Sequence, residues 1–320
     1  MQIVAPQYYK KFKCIAADCK HSCCVGWEID IDADTLEIYK QVKGQWGERL
    51  KNSIAYDGET PHFITDKRGR CTFLNKNGLC DIITEFGEDG LCQICYDHPR
   101  FRNYFSHRVE IGLGLCCEAA AEIILSSNNS SLFVLESYTE NTLPTHEERV
   151  ALEQREALFN LFQNEEITLK DAMQSVIKKF GVNPFKQDLT QWVKKYAGLE
   201  RLDLSWDEFL NKTEQKNFDF DYALAKAEEK ILKAIRNLIC YFIYRYFATE
   251  FLNNNPRGAI NFIIQSTCFC LVVALSNYDD LNQKNFAEVC RMFSSEMEYS
   301  EENIELLLNS PTKITTYKNV

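Results

Sequence analysis

The sequence predicts a mainly α-helical protein, in which an irregular cysteine-rich N-terminal metal-binding module with a few short strands packs on a C-terminal helical domain. Three observations carry that expectation. Ten of the 14 cysteines lie at or before Cys117, in four groups. The polar run Ser126-Ser127-Asn128-Asn129-Ser130-Ser131 offers nothing that could be buried and reads as a linker. Beyond it, apolar residues recur at helical spacing in one segment after another. The boundary therefore falls near residue 130, giving a module over 1–130 and a helical domain over 131–320.

Taken in order, the module begins with few long periodic segments. Asp34 can cap a short helix over residues 34–42, with Leu36 and Tyr39 on one side. Turns are marked at Asp57-Gly58, Asn77-Gly78 and Asp89-Gly90. Alternation over 104–115 predicts a strand, and 118–125 a short helix. Past the linker, Thr145 with Glu148 and Ser205 with Glu208 have the spacing of capping boxes, and Thr168 precedes a similar run. Gly181, Gly198 and the Pro256/Gly258 pair mark stops. The longest helix is expected over 220–252, where Ile231, Ile235, Leu238, Ile239, Phe242 and Tyr246 recur at helical spacing. It is apolar nearly all round near Tyr241 and Phe247, so it should be central. Helices over 260–275, 283–297 and 301–308 complete the chain.

Composition narrows the function classes. At 320 residues and 45% apolar content, the chain can build a full hydrophobic core. A net charge of -10 argues against nucleic acid, whose binders neutralise phosphates with Lys and Arg. An acidic surface suits a basic partner such as lysine side chains, although it is also ordinary solubility design. The first twenty residues lack the continuous apolar core of a signal peptide. The most apolar stretches, 237–247 and 268–275, fall short of the roughly 20 residues a bilayer crossing needs. The expectation is a cytoplasmic protein with no membrane and no nucleic-acid partner.

The chemistry concentrates in four cysteine groups: Cys14-x4-Cys19-x3-Cys23-Cys24, Cys71 with Cys80, Cys92-x2-Cys95, and Cys116-Cys117-Glu118. In a cytosolic chain such a set points to metal or redox chemistry rather than disulfides. Soft thiolates select zinc or iron-sulfur clusters and exclude magnesium and calcium. Only Cys92-x2-Cys95 has the form of a zinc-ribbon knuckle, so the irregular spacings favour an iron-sulfur cluster, with zinc as the alternative. A CxxxCxxC signature is absent. The candidate metal residues are Cys14, Cys19, Cys23, Cys24, Cys71, Cys80, Cys92, Cys95 and Cys116, more than one zinc or one cubane needs. The vicinal Cys23-Cys24 pair would be strained if both thiolates served one ion. Cys240, Cys268, Cys270 and Cys290 sit in apolar runs and read as packing residues. His21 has ligand-like placement within the first group, whereas His62, His107 and His146 have no assigned role. Val109-Glu110-Ile111-Gly112-Leu113-Gly114-Leu115, with Glu136 downstream, partly imitates a dinucleotide-type glycine loop. The third glycine is missing and no strand-helix alternation follows, so this segment is expected to be a strand that delivers Cys116.

These residues resemble the flagellin lysine-N-methylases over most of the chain. The resemblance is carried by Phe12-x-Cys14, Cys19, Ser22-Cys23-Cys24-x-Gly26-Trp27, the Asp32 to Tyr39 segment, Cys71-x-Phe73-Leu74, Gly78-Leu79-Cys80, Leu91-Cys92-x2-Cys95, Pro99-Arg100 and Cys116-x-Glu118-Ala119-Ala120. Phe293-Ser294 and Glu296-x-Glu298-x-Ser300 add to it, and the Cys23-Cys24 pair and the Cys71 to Cys80 unit resemble YkgJ-type zinc- or iron-chelating proteins more loosely. The chain departs from the family at Cys117, in the place of a proline, and at Tyr299, in the place of a histidine. The resemblance implies methylation of flagellin lysines by S-adenosylmethionine, with a cysteine-bound iron-sulfur cluster, 4Fe-4S. A lysine must lose its proton before it can accept a methyl group, since the ammonium, with an ordinary pKa near ~10.4, has no lone pair. Tyr96, Asp97, His98 and Glu118 lie beside cysteine motifs and are the candidate catalytic residues. A structural zinc adaptor with a helical partner-binding domain is the alternative.

Overall fold

A computed structural model describes residues 1–128, 132–137, 142–185, 189–216, 220–227 and 229–309. Helices dominate it, as the periodicity predicts. The chain divides into two compact units. One consists of Lys13–Phe101 with Cys117–Ala119, and the other of Met1–Phe12, Arg102–Cys116 and the chain from Ala120 onward. Residues 1–12 and 102–116, which the sequence reading groups with the cysteine-rich module, thus count with the helical unit.

A four-stranded sheet, in the helical unit but for the first two residues of β4, runs in the order β4 (Arg100–Tyr104), β5 (Arg108–Leu113), β1 (Gln2–Pro6), β6 (Leu132–Ser137); the β2 (Ile54–Ala55) and β3 (His62–Phe63) pair belongs to the other unit. β1 is parallel to β5 and antiparallel to β6. The single strand expected over 104–115 is therefore a hairpin's second arm, closed by the Phe105 amide donating to the Arg108 carbonyl at 2.9 Å. Neither β1 nor β6 is anticipated by alternation; β1 gains its place by burying Val4 and Ala5. Of the linker, residues 129–131 lie outside the described residues, as does the tail after Pro311.

The helices follow their caps in most places. His146–Gln163 starts with a reciprocal capping box between Thr145 and Glu148, and Leu169–Phe180 is capped by Thr168 and closed by Gly181 in the left-handed region at φ 62°. Ser205 is not a cap: Leu204 takes that position with no side-chain bond, and Asp203 Oδ1 accepts from the Ser205 amide at 2.8 Å. The long element expected over 220–252 is divided into Phe220–Lys226, Glu229–Phe242, a π-helical turn at Ile243–Phe247, and Ala248–Leu252; residue 228 is outside the described residues. Pro256 and Gly258 mark a beginning rather than an end. Pro256 opens Pro256–Asn277, where its missing N–H costs nothing, and Asn255 accepts from the Gly258 amide. Pro256–Asn277 is the one helix among the described residues long and apolar enough to cross a membrane, and 94% of that apolar window is buried inside the protein. Gln283–Met297 and Glu301–Leu308 pack after it, at the bounds expected.

The cysteine-rich unit has a small core of its own, formed by Ile29, Ile31, Tyr39, Leu50, Phe63, Phe73 and Ile82 among others. Its first helix, Ala33–Gln41, is capped by Asp32 and not by Asp34. Asp32 has the extended backbone an N-cap requires, which leaves Asp34 in the first turn where it complements the helix dipole.

Candidate functional site

Three crossings bring distant cysteines onto one core. The Gly26 amide donates to the Gly69 carbonyl at 3.0 Å, and a Cβ on Gly69 would stand 3.1 Å from the Gly26 nitrogen, so a side chain there would force the two segments apart. Gly69 also lies at φ 70°, a conformation glycine adopts without strain. Two residues along, the Cys71 amide donates to the Cys24 carbonyl at 2.8 Å. Between Cys71 and Cys80 the chain turns on Asn75, whose Oδ1 accepts from the amides of Asn77 and Leu79, while its Nδ2 donates to Asp81. Arg49 clamps the same Asp81 at 2.5 Å. The third crossing is made by Asp32, which accepts from the Gln93 amide at 2.7 Å and so starts the turn carrying Cys92 and Cys95.

The result is one apolar cluster to which Cys71 and Cys92 belong, with Cys24, Cys80 and Cys95 packed against it. Their electrostatics are linked. Burial, with the neighbouring Cys24, Cys80 and Cys92, pushes the Cys71 thiol up to about 12. The hydrogen bond from Cys23 lowers the Cys24 thiol to about 7, assisted by Ser22 and Arg70. Cys95 in the same way holds Cys92 below its ordinary value. Each hydrogen-bonded pair thus favours one thiolate, the form that ligates metal.

A second group gathers around Cys19, linked to that core through Cys23, which lies near Cys24 as well as Cys14 and Cys117. Cys19 Sγ donates to the His21 carbonyl at 3.2 Å and faces Glu118 Oε2 at 3.8 Å, and the Lys20 amide donates to the same carboxylate at 2.9 Å. Burial raises the Cys19 thiol, and Glu118, Cys117 and Cys14 are near enough to raise it further. Cys117, which stands in the place of a proline and is not among the metal candidates of the sequence, belongs to this group. His21 is exposed, and its carbonyl accepts from the Cys19 thiol. Among the described residues, no three His, Cys, Asp or Glu side chains stand as close together as the ligands of a single metal ion do.

The proposed acid–base residues have separate surroundings. Tyr96 is exposed, and Asp97 accepts from Gln93 Nε2 at 2.6 Å. Burial, with Arg100 nearby, lowers His98 to about 4, so its ring is neutral at physiological pH; it lies 6.1 Å from the Trp27 ring. Glu118 is engaged by Lys20 and Cys19 as described.

Cys116 is held in the helical unit, where its thiol donates to Tyr299 Oη at 2.9 Å. Beside Tyr299, the buried Glu298 carboxylate accepts from Tyr241 Oη at 2.9 Å and Tyr246 Oη at 2.7 Å, and pairs with Arg245 Nη1 at 3.3 Å. Arg245 Nη1 also donates to Tyr241 Oη at 2.8 Å. Arg245 and Tyr246 lie on the π-helical turn, where the widened spacing re-aims side chains. A cavity of about 560 Å³ opens against this cluster, lined by Arg245, Tyr246, Glu250, Glu298, Glu301 and Glu305 together with Ile304 and Leu308. Glu298 lies within the Glu296-x-Glu298-x-Ser300 segment, and no local pattern in the sequence marks the cavity.

No family model matches the chain, and no solved structure matches it. It is similar to a lysine-N-methylase of Salmonella typhimurium, at 23% identity over 151 residues, covering 45% of this chain and 37% of that protein. A lysine-N-methylase of Salmonella choleraesuis matches to the same extent. The flagellar biosynthetic protein FliU of Salmonella muenchen is 25% identical over 130 residues, 39% of this chain and 77% of that protein. The aligned part is less than the sequence resemblance implies, and the chain spans little more than a third of the length of the two lysine-N-methylases. What the comparisons establish is a distant relation over under half of the chain to proteins named lysine-N-methylase and FliU.

Proposed function

We propose that this protein is a lysine N-methyltransferase acting on flagellin, with S-adenosylmethionine as donor and a cysteine-ligated 4Fe-4S cluster in its cysteine-rich unit. The observation that carries the reading is the similarity to proteins named lysine-N-methylase, and the similarity to FliU points to a flagellar substrate. The cluster's ligands would be drawn from Cys24, Cys71, Cys80, Cys92 and Cys95, five thiols on one core. Ligands of a cluster stand farther apart than those of one ion, because the cluster itself fills the space between them. When bound, it supplies an electron-transfer centre.

Methyl transfer needs a neutral amine, whose lone pair forms the N–C bond as the C–S bond of the donor breaks and sulfur keeps its electron pair. Of the four candidates, His98 is the one held neutral by burial, so it accepts a hydrogen bond but is a weak base. Glu118 already fixes the Lys20 backbone, and Asp97 is tied to Gln93.

The test has two arms. Anaerobically purified protein should contain iron and sulfide and absorb in the visible, and flagellin incubated with it and S-adenosylmethionine should gain mass in steps of one methylene per transfer. Colourless protein with stoichiometric zinc that unfolds with a chelator, together with unchanged flagellin, would replace this reading with the structural zinc adaptor.

A further inference from the structure

The cavity in the helical unit has two kinds of wall. Ile304, Leu308 and the ring of Tyr246 are apolar, while Glu250, Glu298, Glu301 and Glu305 bring carboxylates. Arg245 is the cation among its lining residues, and its guanidinium is engaged by Glu298 and Tyr241. Glu250 accepts from Asn253 and Asn255, which are neutral and leave its charge uncompensated. Glu301 and Glu305 are exposed at the mouth and have no cationic partner among the described residues. A volume of about 560 Å³ falls within the ~300–1,000 Å³ typical of ligand clefts.

An apolar wall with carboxylates around it complements a side chain that has an apolar stem and a cationic head. We propose that this cavity receives the side chain of a lysine in a protein segment. The choice of lysine rests on the methyltransferase reading, and the geometry favours it over arginine. The carboxylates come from two helices, Ala248–Leu252 and Glu301–Leu308, and from Glu298 between Gln283–Met297 and Glu301–Leu308. Carboxylates from different directions suit a compact ammonium, whereas a guanidinium is best met by one coplanar carboxylate. Glu298 forms the floor, held by Tyr241, Tyr246 and Arg245, so it cannot swing out to follow a ligand. Glu301 and Glu305 supply the attraction at the entrance, which salt will screen.

The experiment measures binding of full-length protein to a short peptide, acetylated and amidated, with one central lysine, and to its norleucine and arginine counterparts, by calorimetry. The lysine peptide is expected to bind at least about tenfold more tightly than either counterpart. A Glu301→Gln/Glu305→Gln variant should bind the lysine peptide about fivefold more weakly and the norleucine peptide unchanged. Both positions are exposed, so the variant should melt as the wild type does. Equal binding of lysine and norleucine peptides, arginine bound as tightly as lysine, or no effect of the double substitution would each overturn the proposal. Methyl transfer to flagellin without selective lysine binding would overturn this inference and leave the proposed function standing. Selective binding without transfer would support the inference and remove the function.

Discussion

Replacing Asp32 by Ala is expected to destabilise the cysteine-rich unit by about 2–3 kcal/mol, because this carboxylate starts two helices at once. Oδ1 accepts from the Thr35 amide at 3.0 Å, and Oδ2 accepts from the Thr35 hydroxyl at 2.9 Å and the Gln93 amide at 2.7 Å. Loss of an N-cap costs ~1 kcal/mol, and a hydrogen bond to a charged acceptor contributes about 1.5 kcal/mol or somewhat more. Asn is itself a good cap but can present only one oxygen. Asp32→Asn should therefore keep the Thr35 bond, lose the Gln93 bond and cost about half as much. Hydrogen exchange read by mass spectrometry on peptides spanning 33–41 and 92–97 is the assay. An effect of 2–3 kcal/mol on local opening speeds exchange by about 30- to 160-fold. Peptides from Pro256–Asn277 should not change. Burial works against ionisation of Asp32, but the bonds from Gln93 and Thr35 outweigh it and hold its carboxyl below the usual range. A depressed folded pKa gives stability that is present above the unfolded value of ~3.9 and is lost as pH falls through the folded one. The difference between Asp32→Ala and wild type should thus vanish in acid. Exchange of the Ala variant at the wild-type rate, or an Asn variant as damaged as the Ala variant, would refute the two-helix role.

Glu110 is buried between Arg155, at 2.5 and 2.7 Å, and Arg108, at 2.5 Å. Glu110→Gln would leave the buried Arg155 guanidinium, and the partly exposed one of Arg108, without their counter-charge and should cost about 3–5 kcal/mol in urea unfolding followed by Trp192 and Trp206 fluorescence. Lys195 is lowered to about 8 by burial, with its ammonium donating to Gln265. Between that value and the unfolded ~10.4 the unfolded chain holds more protons, so wild-type stability should rise with pH across this window. Lys195→Met should melt higher at pH 7 and lose that rise in thermal scans. Cys24→Ala and Cys71→Ala should each remove most of the bound iron in elemental analysis, while Cys240→Ala, in the helical core, should leave it unchanged.

Much of the helical framework is legible because its causes are local. Thr145, Thr168 and Gly181 act within one turn of their own helices, and the last two helices end where periodicity says they should. Errors arise where two local residues compete for one role. Asp32 wins the cap from Asp34 because its second oxygen also finds Gln93, 61 residues away. At Ser205–Glu214 the cap position falls on Leu204, because the Ser205 amide donates to the Asp203 carboxylate two residues upstream.

By itself, the sequence determined a mainly helical chain, its cysteine-dense first third, and a resemblance in short motifs. Tertiary structure alone decided that β1 and β5 pair across more than a hundred residues, that Cys24, Cys71, Cys80, Cys92 and Cys95 share one core, and that Cys117 stands with Cys19. It also decided that Cys116 meets Tyr299 across 183 residues beside a Glu298 cluster. The physical reason is range. Propensity, capping and periodicity act over a few residues, so they can be read along the chain. Which thiol meets which, and where carboxylates converge on a cavity, depends on loop closures whose cost grows only slowly with length and which local pattern therefore does not choose between.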